Sequence, residues 1–250
     1  MLPPIVEGAP LQPAAASEHP QRLRVVSWNM KAGRGSSLSA IAQRLASLAP
    51  DVVALQEVDV DTRRTGRVDQ PVTLAAALGF HHAFAEAIPW SGGRYGIATL
   101  SRYPFQSLRR IPLSNTAAGE ARTALDAEIC AARSCMHILN HHADVRPLAA
   151  EQSTREILAH VAGQPGQRTI FLGDLNQTPD APGPTACVAA GLTDVGARLD
   201  PQPTQGDRRI DYTYVDLALA SCIAGFHVEP ASESDHAALV LDLDLGCLSR

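Results

Sequence analysis

Several apolar segments of this sequence end in carboxylate or amide side chains. Asn29 and Glu57 each follow such a segment, and Asp174 and Asn176 follow a third. Asp174 and Asn176 are two positions apart, so in an extended chain they lie on the same side. Carboxylate and amide oxygens are the ligands that hard divalent cations such as Mg²⁺ prefer. These residues could therefore hold a metal ion if the fold brings the segment ends together.

A second group of residues could move protons or stabilise negative charge. Asp211 precedes an apolar run, and Asp235 and His236 precede the last one, while His141 and His142 end another. An imidazole changes its charge near neutral pH and serves as an acid, a base or a donor. Taken singly, such residues are more often turn residues, helix caps or hydrogen-bonded core residues. The functional interpretation therefore depends on the whole set.

Length and composition limit the classes of protein. The chain has 250 residues, 45% of them hydrophobic, with 21 Lys+Arg against 26 Asp+Glu and a net charge of −5. This is long enough to bury a core in one domain, and no segment approaches the ~20 apolar residues that span a bilayer. The mild acidity argues against binding by non-specific phosphate attraction, which requires clustered Lys and Arg. A nuclease that works through a metal stays possible.

The first 22 residues differ from the rest. They carry five prolines and show neither helical nor strand periodicity, which predicts a disordered or loosely packed leader over residues 1–22 and one domain over residues 23–250. The leader lacks a basic start and an apolar centre, so we expect no secretion signal and a cytoplasmic location. The five cysteines lack zinc-site spacing. Cys130 and Cys135 flank a short turn and could either pair across a hairpin or remain thiols.

Hydrophobic periodicity predicts an α/β protein. Helices are expected at residues 38–48, 72–78 and 148–161, and strands at 23–28, 51–55, 95–100, 107–113, 123–129, 136–140, 169–172, 210–219 and 238–243. Hairpin-like strands in the middle and helices towards both ends favour mixed sheets with outer helices.

Eight short stretches occur in the order found in a known superfamily and span residues 24–240. They are Ser27-Trp28-Asn29, Leu55-Gln56-Glu57-Val58, Tyr95 to Pro104, Arg122 to Leu125, Asn140-His141-His142, Gly173-Asp174-Leu175-Asn176, Arg209-Ile210-Asp211-Tyr212 and Ser234-Asp235-His236. With them the sequence resembles the endonuclease/exonuclease/phosphatase superfamily, which includes deoxyribonuclease I, exonuclease III-like enzymes, neutral sphingomyelinases and inositol-polyphosphate 5-phosphatases. The resemblance implies a four-layer α/β sandwich of two packed mixed β-sheets flanked by helices, as in deoxyribonuclease I.

The resemblance also implies a metal site and a water-activating group. Glu57 becomes the principal ligand of Mg²⁺, for which Mn²⁺ is a plausible substitute, with Asn29 beside it and Asp235 as a further ligand. A lack of clustered Cys and His agrees with Mg²⁺ or Mn²⁺ better than with zinc. Asp174 would orient or activate the attacking water, and Asn176 would hold the phosphoryl group or a second ion.

The remaining implied roles concern protons and phosphate. His236 would act as a base or as a cation facing the phosphate, held by Asp211 or Asp235. His142 would donate to the phosphate, and the guanidinium of Arg122 would bind a phosphate oxygen. Which group protonates the leaving oxygen stays open.

Three departures from the usual family pattern bear on these roles. The stretch that usually carries one histidine has two here, and alignment favours His142 over His141. Arg94 stands where relatives often have an acidic or amide residue, so the group that orients His142 is open. The signatures of apurinic-site endonucleases are missing, which makes DNA repair the less favoured branch.

We therefore expect a metal-dependent hydrolase of phosphoesters, a phosphodiesterase or nuclease rather than a monoesterase, acting on nucleic acid, a phospholipid headgroup or a small phosphorylated metabolite. The alternatives are a sphingomyelinase-like phospholipase, a phosphoinositide or metabolite phosphatase, and a non-catalytic binding module that kept the fold. A phospholipase would need an exposed apolar hairpin. Trp90 could belong to one, although a buried position is favoured. The three arginines Arg63, Arg64 and Arg67 are either paired with their own loop or clamp an anion.

Overall fold

The computed structural model describes residues 4–12, 21–111, 113–114, 119–131, 134–164 and 166–249. Within them the strands are β1 Val6–Gly8, β2 Arg22–Asn29, β3 Val52–Val60, β4 His81–Trp90, β5 Gly93–Ser101, β6 Phe105–Ile111, β7 Ala124–Ala131, β8 Ser134–His142, β9 Thr169–Asp174, β10 Thr193–Asp194, β11 Asp211–Val215, β12 Ile223–Glu229 and β13 Ala238–Asp244. The α-helices are α1 Leu38–Ser47, α2 Gln70–Leu78, α3 Pro147–Ala162, α4 Pro182–Ala189, α5 Val195–Leu199 and α6 Leu217–Ala220.

The strands form two mixed sheets. The first has the order β1-β4-β5-β3-β2-β13-β12 and the second has the order β10-β11-β9-β8-β7-β6. The β2–β3 and β8–β9 pairs are parallel, and the other pairs are antiparallel. The prediction of two mixed sheets with flanking helices is confirmed.

Alternation along the strands separates the layers. Val25 and Ile138 lie in a core cluster that joins the two sheets, whereas the neighbouring Val26 packs with α1 and α2 and Leu139 packs with α3 and α4. Side chains of a strand point to opposite faces in turn, so each central strand contributes to two cores and its sequence is apolar throughout. The result is four layers, with one helix pair outside each sheet.

Several segments differ from the predicted pattern. The strand predicted over residues 210–219 ends at Val215, because Asp216 caps the short helix α6 by accepting a hydrogen bond from Leu219 N at 2.9 Å. Strands β4 and β12 and helix α4 were not predicted: β4 is rich in alanine, and α4 contains two prolines and a glycine. Within the predicted leader, β1 pairs with β4 at the sheet edge; residues 1–3 and 13–20 lie outside the described residues.

Two disulfide bonds are present. Cys130–Cys135 closes the β7–β8 hairpin, which resolves the alternative left open by the sequence, and Cys222–Cys247 was not predicted. Cys187 is a buried free thiol. The cytoplasmic location expected from the sequence stays a prediction. Among the described residues, no helix combines the length and hydrophobicity needed to cross a bilayer.

Gly173 allows the central strands of the second sheet to approach each other. Its φ is +136°, and a Cβ there would lie 1.9 Å from the carbonyl oxygen of His141 on β8. Only glycine combines this backbone angle with the lack of a side chain. Because Asp174 follows directly, the same glycine sets where that carboxylate lies.

We predict that Gly173→Ala lowers the free energy of unfolding by about 3 kcal/mol or more, because it adds a backbone clash to conformational strain. Gly191→Ala is the matched control: its φ is +86° with nothing within 4 Å of the added Cβ, so it should cost only about 1–2 kcal/mol. Urea titrations of both variants measure the difference. Equal losses would contradict the clash.

Candidate active site

The ends of the central strands surround one pocket of about 370 Å³. This size suits a small ligand or part of a larger one. Its lining comprises Arg34, Glu57, Arg64, Trp90, Tyr95, Glu120, Arg122, His142, Val145, Asp174, Asn176, Gln205, Arg208 and His236. The lining therefore includes most of the residues singled out in the sequence, drawn from both sheets.

A β-bulge directs Glu57 into the pocket. Register between β3 and β5 shifts between Leu55 and Val58, and Glu57 has a left-handed φ of +53°. The bulge leaves one extra residue on β3, which breaks the alternation of side chains. Without it, Glu57 would not emerge beside the end of β2.

Asn29 connects the carboxylates of the two sheets. Its Nδ2 donates to Asp174 Oδ2 at 3.0 Å and to Glu57 Oε1 at 3.3 Å, while its Oδ1 accepts from Lys31 N at 3.1 Å. The side chain is fully buried. Asn29 thus presents its amide hydrogens, and not its carbonyl oxygen, to the two carboxylates.

Asp174 is the most enclosed carboxylate of the pocket. Its Oδ1 accepts from Asn176 N at 2.8 Å, and its Oδ2 lies 3.6 Å from His142 Nε2 and 3.8 Å from His236 Nε2. Burial, followed by the charge of Asp211, raises the pKa of Asp174 to about 7. A further positive charge at this position would relieve that repulsion.

His236 is held by Asp211. Its Nδ1 donates to the Asp211 carboxylate at 2.9 Å, and its backbone carbonyl accepts from Trp28 Nε1 at 3.0 Å. Burial acts to lower the pKa of His236, but the hydrogen bond and charge of Asp211, with the charges of Asp174 and Asp235, outweigh it and raise the pKa to about 9. Of the two holding groups left open by the sequence, the structure selects Asp211.

Gln205 faces the other nitrogen of His236. Its Nε2 lies 2.7 Å from His236 Nε2, and its Oε1 accepts from Arg208 Nη2. An imidazolium would direct a proton at this amide nitrogen, so Gln205 must turn or withdraw when His236 is doubly protonated. Gln205 was not predicted as a site residue, and no signal in the sequence marks it.

His142 is positioned by Arg122. Arg122 Nη1 lies 3.1 Å from His142 Nδ1, which makes Nδ1 the acceptor and leaves the proton on Nε2, towards Asp174. Burial, together with the charge of Arg122, lowers the pKa of His142 well below its ordinary value. Arg122 is itself paired with Glu120 at 3.0 Å. Arg94 packs over the Phe84 ring, and the question of what orients His142 is answered by Arg122.

His141 points to the opposite face of β8. Its Nδ1 donates to the Thr123 carbonyl at 3.0 Å, and its Nε2 lies 3.0 Å from Ser153 Oγ on α3. Neighbouring residues of a strand face opposite sides. His142 therefore belongs to the pocket and His141 to the core under α3, which agrees with the alignment.

Of the predicted site residues Asn176 and Asp235, only Asn176 lies in the pocket. Asn176 lies in the pocket lining with a left-handed φ of +52°, and its Nδ2 donates to the Ala143 carbonyl at 3.0 Å. Asp235 is exposed and pairs with Lys31 Nζ at 2.8 Å. Asp235 is not part of the pocket lining.

Two neighbouring sets of side chains could supply ligands to a metal ion: the group formed by Asp174, Asp211 and His236, and the carboxylate of Glu57. One ligand atom from each of Asp174, Asp211 and His236 can be chosen so that all three lie within 4.8 Å of one another. Glu57 lies beyond Asn29, which bridges it to Asp174. The donors are mainly carboxylate oxygens, and the lining contains no thiol. This chemistry fits a hard divalent cation.

The arginine-rich loop reaches the pocket through one residue. Arg64 lines it and is held by Asp59 in a two-point ion pair, at 2.7 and 2.8 Å. Arg67 bonds to backbone carbonyls of Asp61 and Gly92. Of the two alternatives that the sequence left open, Arg64 is paired within its own loop and also faces the pocket, whereas Arg67 bonds to backbone carbonyls.

Two further findings correct or extend the predictions. Trp90 is 44% exposed and lines the pocket, so the expected buried position is wrong; its place at a hairpin end keeps it on the rim. Arg34 and Arg208 were missed. Only their closeness in sequence to Asn29 and Asp211 could have indicated them.

Two mixed sheets with this arrangement at their edge define the deoxyribonuclease I-like fold. The sequence matches the Endonuclease/Exonuclease/phosphatase family over residues 26–236, and the chain belongs to that family. None of the curated proteins compared with it matches.

Solved structures support the fold. An endonuclease/exonuclease/phosphatase from Beutenbergia cavernae DSM 12333 is 23% identical with a TM-score of 0.73, over 90% of this chain and 72% of that one. The human Nocturnin catalytic domain with bound sulfate is 18% identical with a TM-score of 0.71, over 91% and 94%. An AP endonuclease from Archaeoglobus fulgidus is 19% identical with a TM-score of 0.69, over 89% and 99%.

The buried His141 should make stability depend on pH. Burial, despite the hydrogen bond to Thr123, lowers its pKa to about 4; the charge of Arg122 lowers it further and that of Glu156 opposes this. Between its ordinary pKa of about 6.5 and about 4, the unfolded chain binds a proton that the folded protein excludes, so stability falls as the pH falls.

We predict that between pH 7 and pH 5 this residue removes on the order of 2 kcal/mol of stability. His141→Gln should lose less stability over the same interval than the wild-type protein, although it is less stable at pH 7. Urea unfolding at both pH values gives the comparison. The same slope in both proteins would refute the assignment.

Proposed function

We propose that the protein is a divalent-metal-dependent phosphodiesterase in which water attacks the phosphorus. The observation that carries this proposal is the convergence of Glu57, Asp174, His142 and His236 on one pocket, with Asp211 behind His236. Such a set offers both anionic metal ligands and donors to a phosphate. Family membership supports the same chemistry at a coarser level.

Glu57 would hold the metal ion together with the Asp174 carboxylate. The sequence-based expectation that Asn29 is itself a ligand does not fit its orientation, because its Nδ2 donates to both carboxylates and its Oδ1 accepts from Lys31 N; Asn29 would instead position the two ligands. Mg²⁺ suits this set because it takes few carboxylates and keeps several waters; Mn²⁺ is a plausible substitute. When bound, the ion would supply charge stabilisation to the phosphoryl oxygens in the transition state. Asp235 enters this proposal only as an outer residue, since it pairs with Lys31 at 2.8 Å.

The protein's own residues would handle water and phosphate. Asp174 would orient the attacking water and accept its proton, while His236, 3.8 Å from Asp174 and held by Asp211, would face the phosphate as a cation. His142 would donate its Nε2 proton to a phosphate oxygen, and Arg122 and Asn176 would bind the phosphoryl group from the lining. Preorganised donors of this kind stabilise negative charge as it develops.

A non-catalytic binding module is the competing function. A binding site for phosphate requires donors, but it does not require a carboxylate and an imidazole held within 4 Å of each other by buried partners. We therefore favour hydrolysis. Assays with Mg²⁺ or Mn²⁺ decide between the two functions; the substrates are plasmid DNA, short RNA, sphingomyelin, phosphoinositides and bis-p-nitrophenyl phosphate. Absence of both turnover and metal binding would favour the binding module.

Glu57→Gln tests the metal ligand. The change keeps the size of the side chain but removes the charge that would hold the ion, so Mg²⁺-dependent turnover should fall by about 10²-fold or more and the metal affinity, measured by calorimetry, should fall with it. Glu229→Gln, whose carboxylate pairs with Arg44 on the surface, is the matched control. Wild-type turnover by Glu57→Gln at saturating Mg²⁺ would refute the role.

The two adjacent histidines provide a second test. His142→Gln should lower kcat by roughly 10²-fold or more, the usual scale for a group that donates in the transition state. His141→Gln should leave kcat of the folded protein within about 2-fold, because that ring faces α3. Circular dichroism confirms that each variant is folded at the assay temperature. A larger loss of kcat for His141→Gln than for His142→Gln would show that the assignment of His142 to the pocket is wrong.

A further inference from the structure

Trp90 stands at the pocket rim, where no proposed chemical step uses it. It ends β4, pairs with Gly93 across the hairpin turn, and is 44% exposed. Among the exposed large hydrophobic residues that the structure describes, it is the only aromatic one. Exposure of an aromatic ring inside a polar pocket costs solvation free energy unless a ligand covers it.

A fixed cation supports the ring. The Cζ of Arg64 lies 5.6 Å from the Trp90 ring centroid and 5.3 Å from that of Tyr95. Arg64 cannot swing freely, because the fully buried Asp59 binds it at two points and Thr62 donates to the same carboxylate at 2.7 Å. The ring is therefore held in place before any ligand arrives, which lowers the entropy cost of binding.

The turn itself is also attached to this loop. Arg63 N donates to the carbonyl of Ser91 at 3.0 Å, and Arg67 Nη1 contacts the carbonyl of Gly92 at 3.3 Å. These bonds tie the hairpin end that carries Trp90 to the loop that carries Arg64. The rim is one unit built from two loops.

We infer that Trp90, backed by Arg64, is a stacking surface for a nucleobase of the substrate. This inference rests on the proposed function and names its substrate class, a nucleotidyl phosphodiester. The lining of this one pocket contains both phosphate donors, His142 and Arg122, and a flat aromatic face. A ligand that carries both a phosphate and a planar ring satisfies both features, and every base has a face that can stack on an aromatic side chain.

Charge elsewhere on the lining favours a strand over a single nucleotide. Arg34 and Arg208 line the pocket, and within the described residues neither has a carboxylate partner; Arg208 contacts the Gln205 amide oxygen. Unpaired guanidinium groups bind phosphate well. They would contact phosphates next to the one that is cleaved.

A lipid surface is less well matched to this rim. Pro89 is exposed beside Trp90, but Ile88 is partly covered and the turn consists of Ser91 and Gly92. An interfacial hairpin needs a continuous apolar face. One tryptophan stacked on an arginine inside a polar pocket does not provide it.

Fluorescence tests the stacking directly and without turnover. The protein has two tryptophans, and Trp28 is only 3% exposed. A six-nucleotide oligodeoxyadenylate, titrated in EDTA, should quench the emission of the wild-type protein. Trp90→Phe retains a ring but leaves only Trp28 to report, so the quenching should disappear while the affinity, measured by anisotropy of a labelled strand, changes little.

Trp90→Ala should weaken binding of the oligodeoxyadenylate by on the order of 10-fold or more, the scale of one lost base stack. An abasic strand of the same length and charge should bind both proteins equally. Leu217→Ala, an 81% exposed residue on α6, is the control for removal of a surface hydrophobic group. With Mg²⁺, the same ratio should appear in KM more than in kcat.

Three results would overturn the inference: equal affinity of Trp90→Ala and wild type for the oligodeoxyadenylate, equal losses for the abasic strand, or a loss confined to sphingomyelin vesicles. The proposed function fails differently. A protein that binds the oligodeoxyadenylate through Trp90 but hydrolyses nothing with Mg²⁺ or Mn²⁺ keeps the stacking surface and loses the assigned hydrolysis.

Discussion

Buried amides between the two sheets fix the geometry on which the site depends. Gln56 Nε2 on β3 donates to Asn140 Oδ1 on β8 at 2.8 Å, and Asn140 Nδ2 donates to the carbonyls of Leu55 and Ala98 at 3.2 and 2.9 Å. Both side chains are fully buried. A slip between the sheets would leave these groups unpaired in the core, at a cost of about 1–3 kcal/mol each. The next residues along these strands, Glu57 and the histidines, are placed by this link.

The site then requires backbone conformations that are unfavourable in isolation. Glu57 and Asn176 have left-handed φ values, as do Lys31 and Ala32, which begin two residues after Asn29. Each such residue costs on the order of 1–3 kcal/mol, and it persists only where the surroundings determine it. Here the strand pairs on either side provide those surroundings. The strain lies at the pocket edge of both sheets, where side chains must leave the regular alternation to converge.

Electrostatics makes the same edge sensitive to bound cations. Asp174 and Asp211 lie directly opposite each other on β9 and β11, and burial, followed by the charge of Asp211, raises the pKa of Asp174 to about 7. The pKa of His236 is also raised, to about 9, because its hydrogen bond to Asp211 and the nearby carboxylate charges outweigh its burial. A raised pKa favours the charged form of the imidazole, whereas it favours the neutral form of Asp174. Binding of a divalent cation or a phosphate would therefore change the pKa values of both groups. Arg122 and Arg64 are already paired with Glu120 and Asp59, so their charge is positioned and partly neutralised.

The sequence by itself determined the two mixed sheets, the main helices, and a set of polar residues at strand ends, because apolar periodicity and short motifs are local properties. It also favoured His142 over His141 through its motif. Only the tertiary structure decided that Asp211 holds His236, that Arg122 orients His142, and that Asp235 pairs outward with Lys31. It also revealed Gln205, the exposed Trp90 and the second disulfide. These features join residues far apart in the chain, and the register between sheets that brings them together is not written in any single segment.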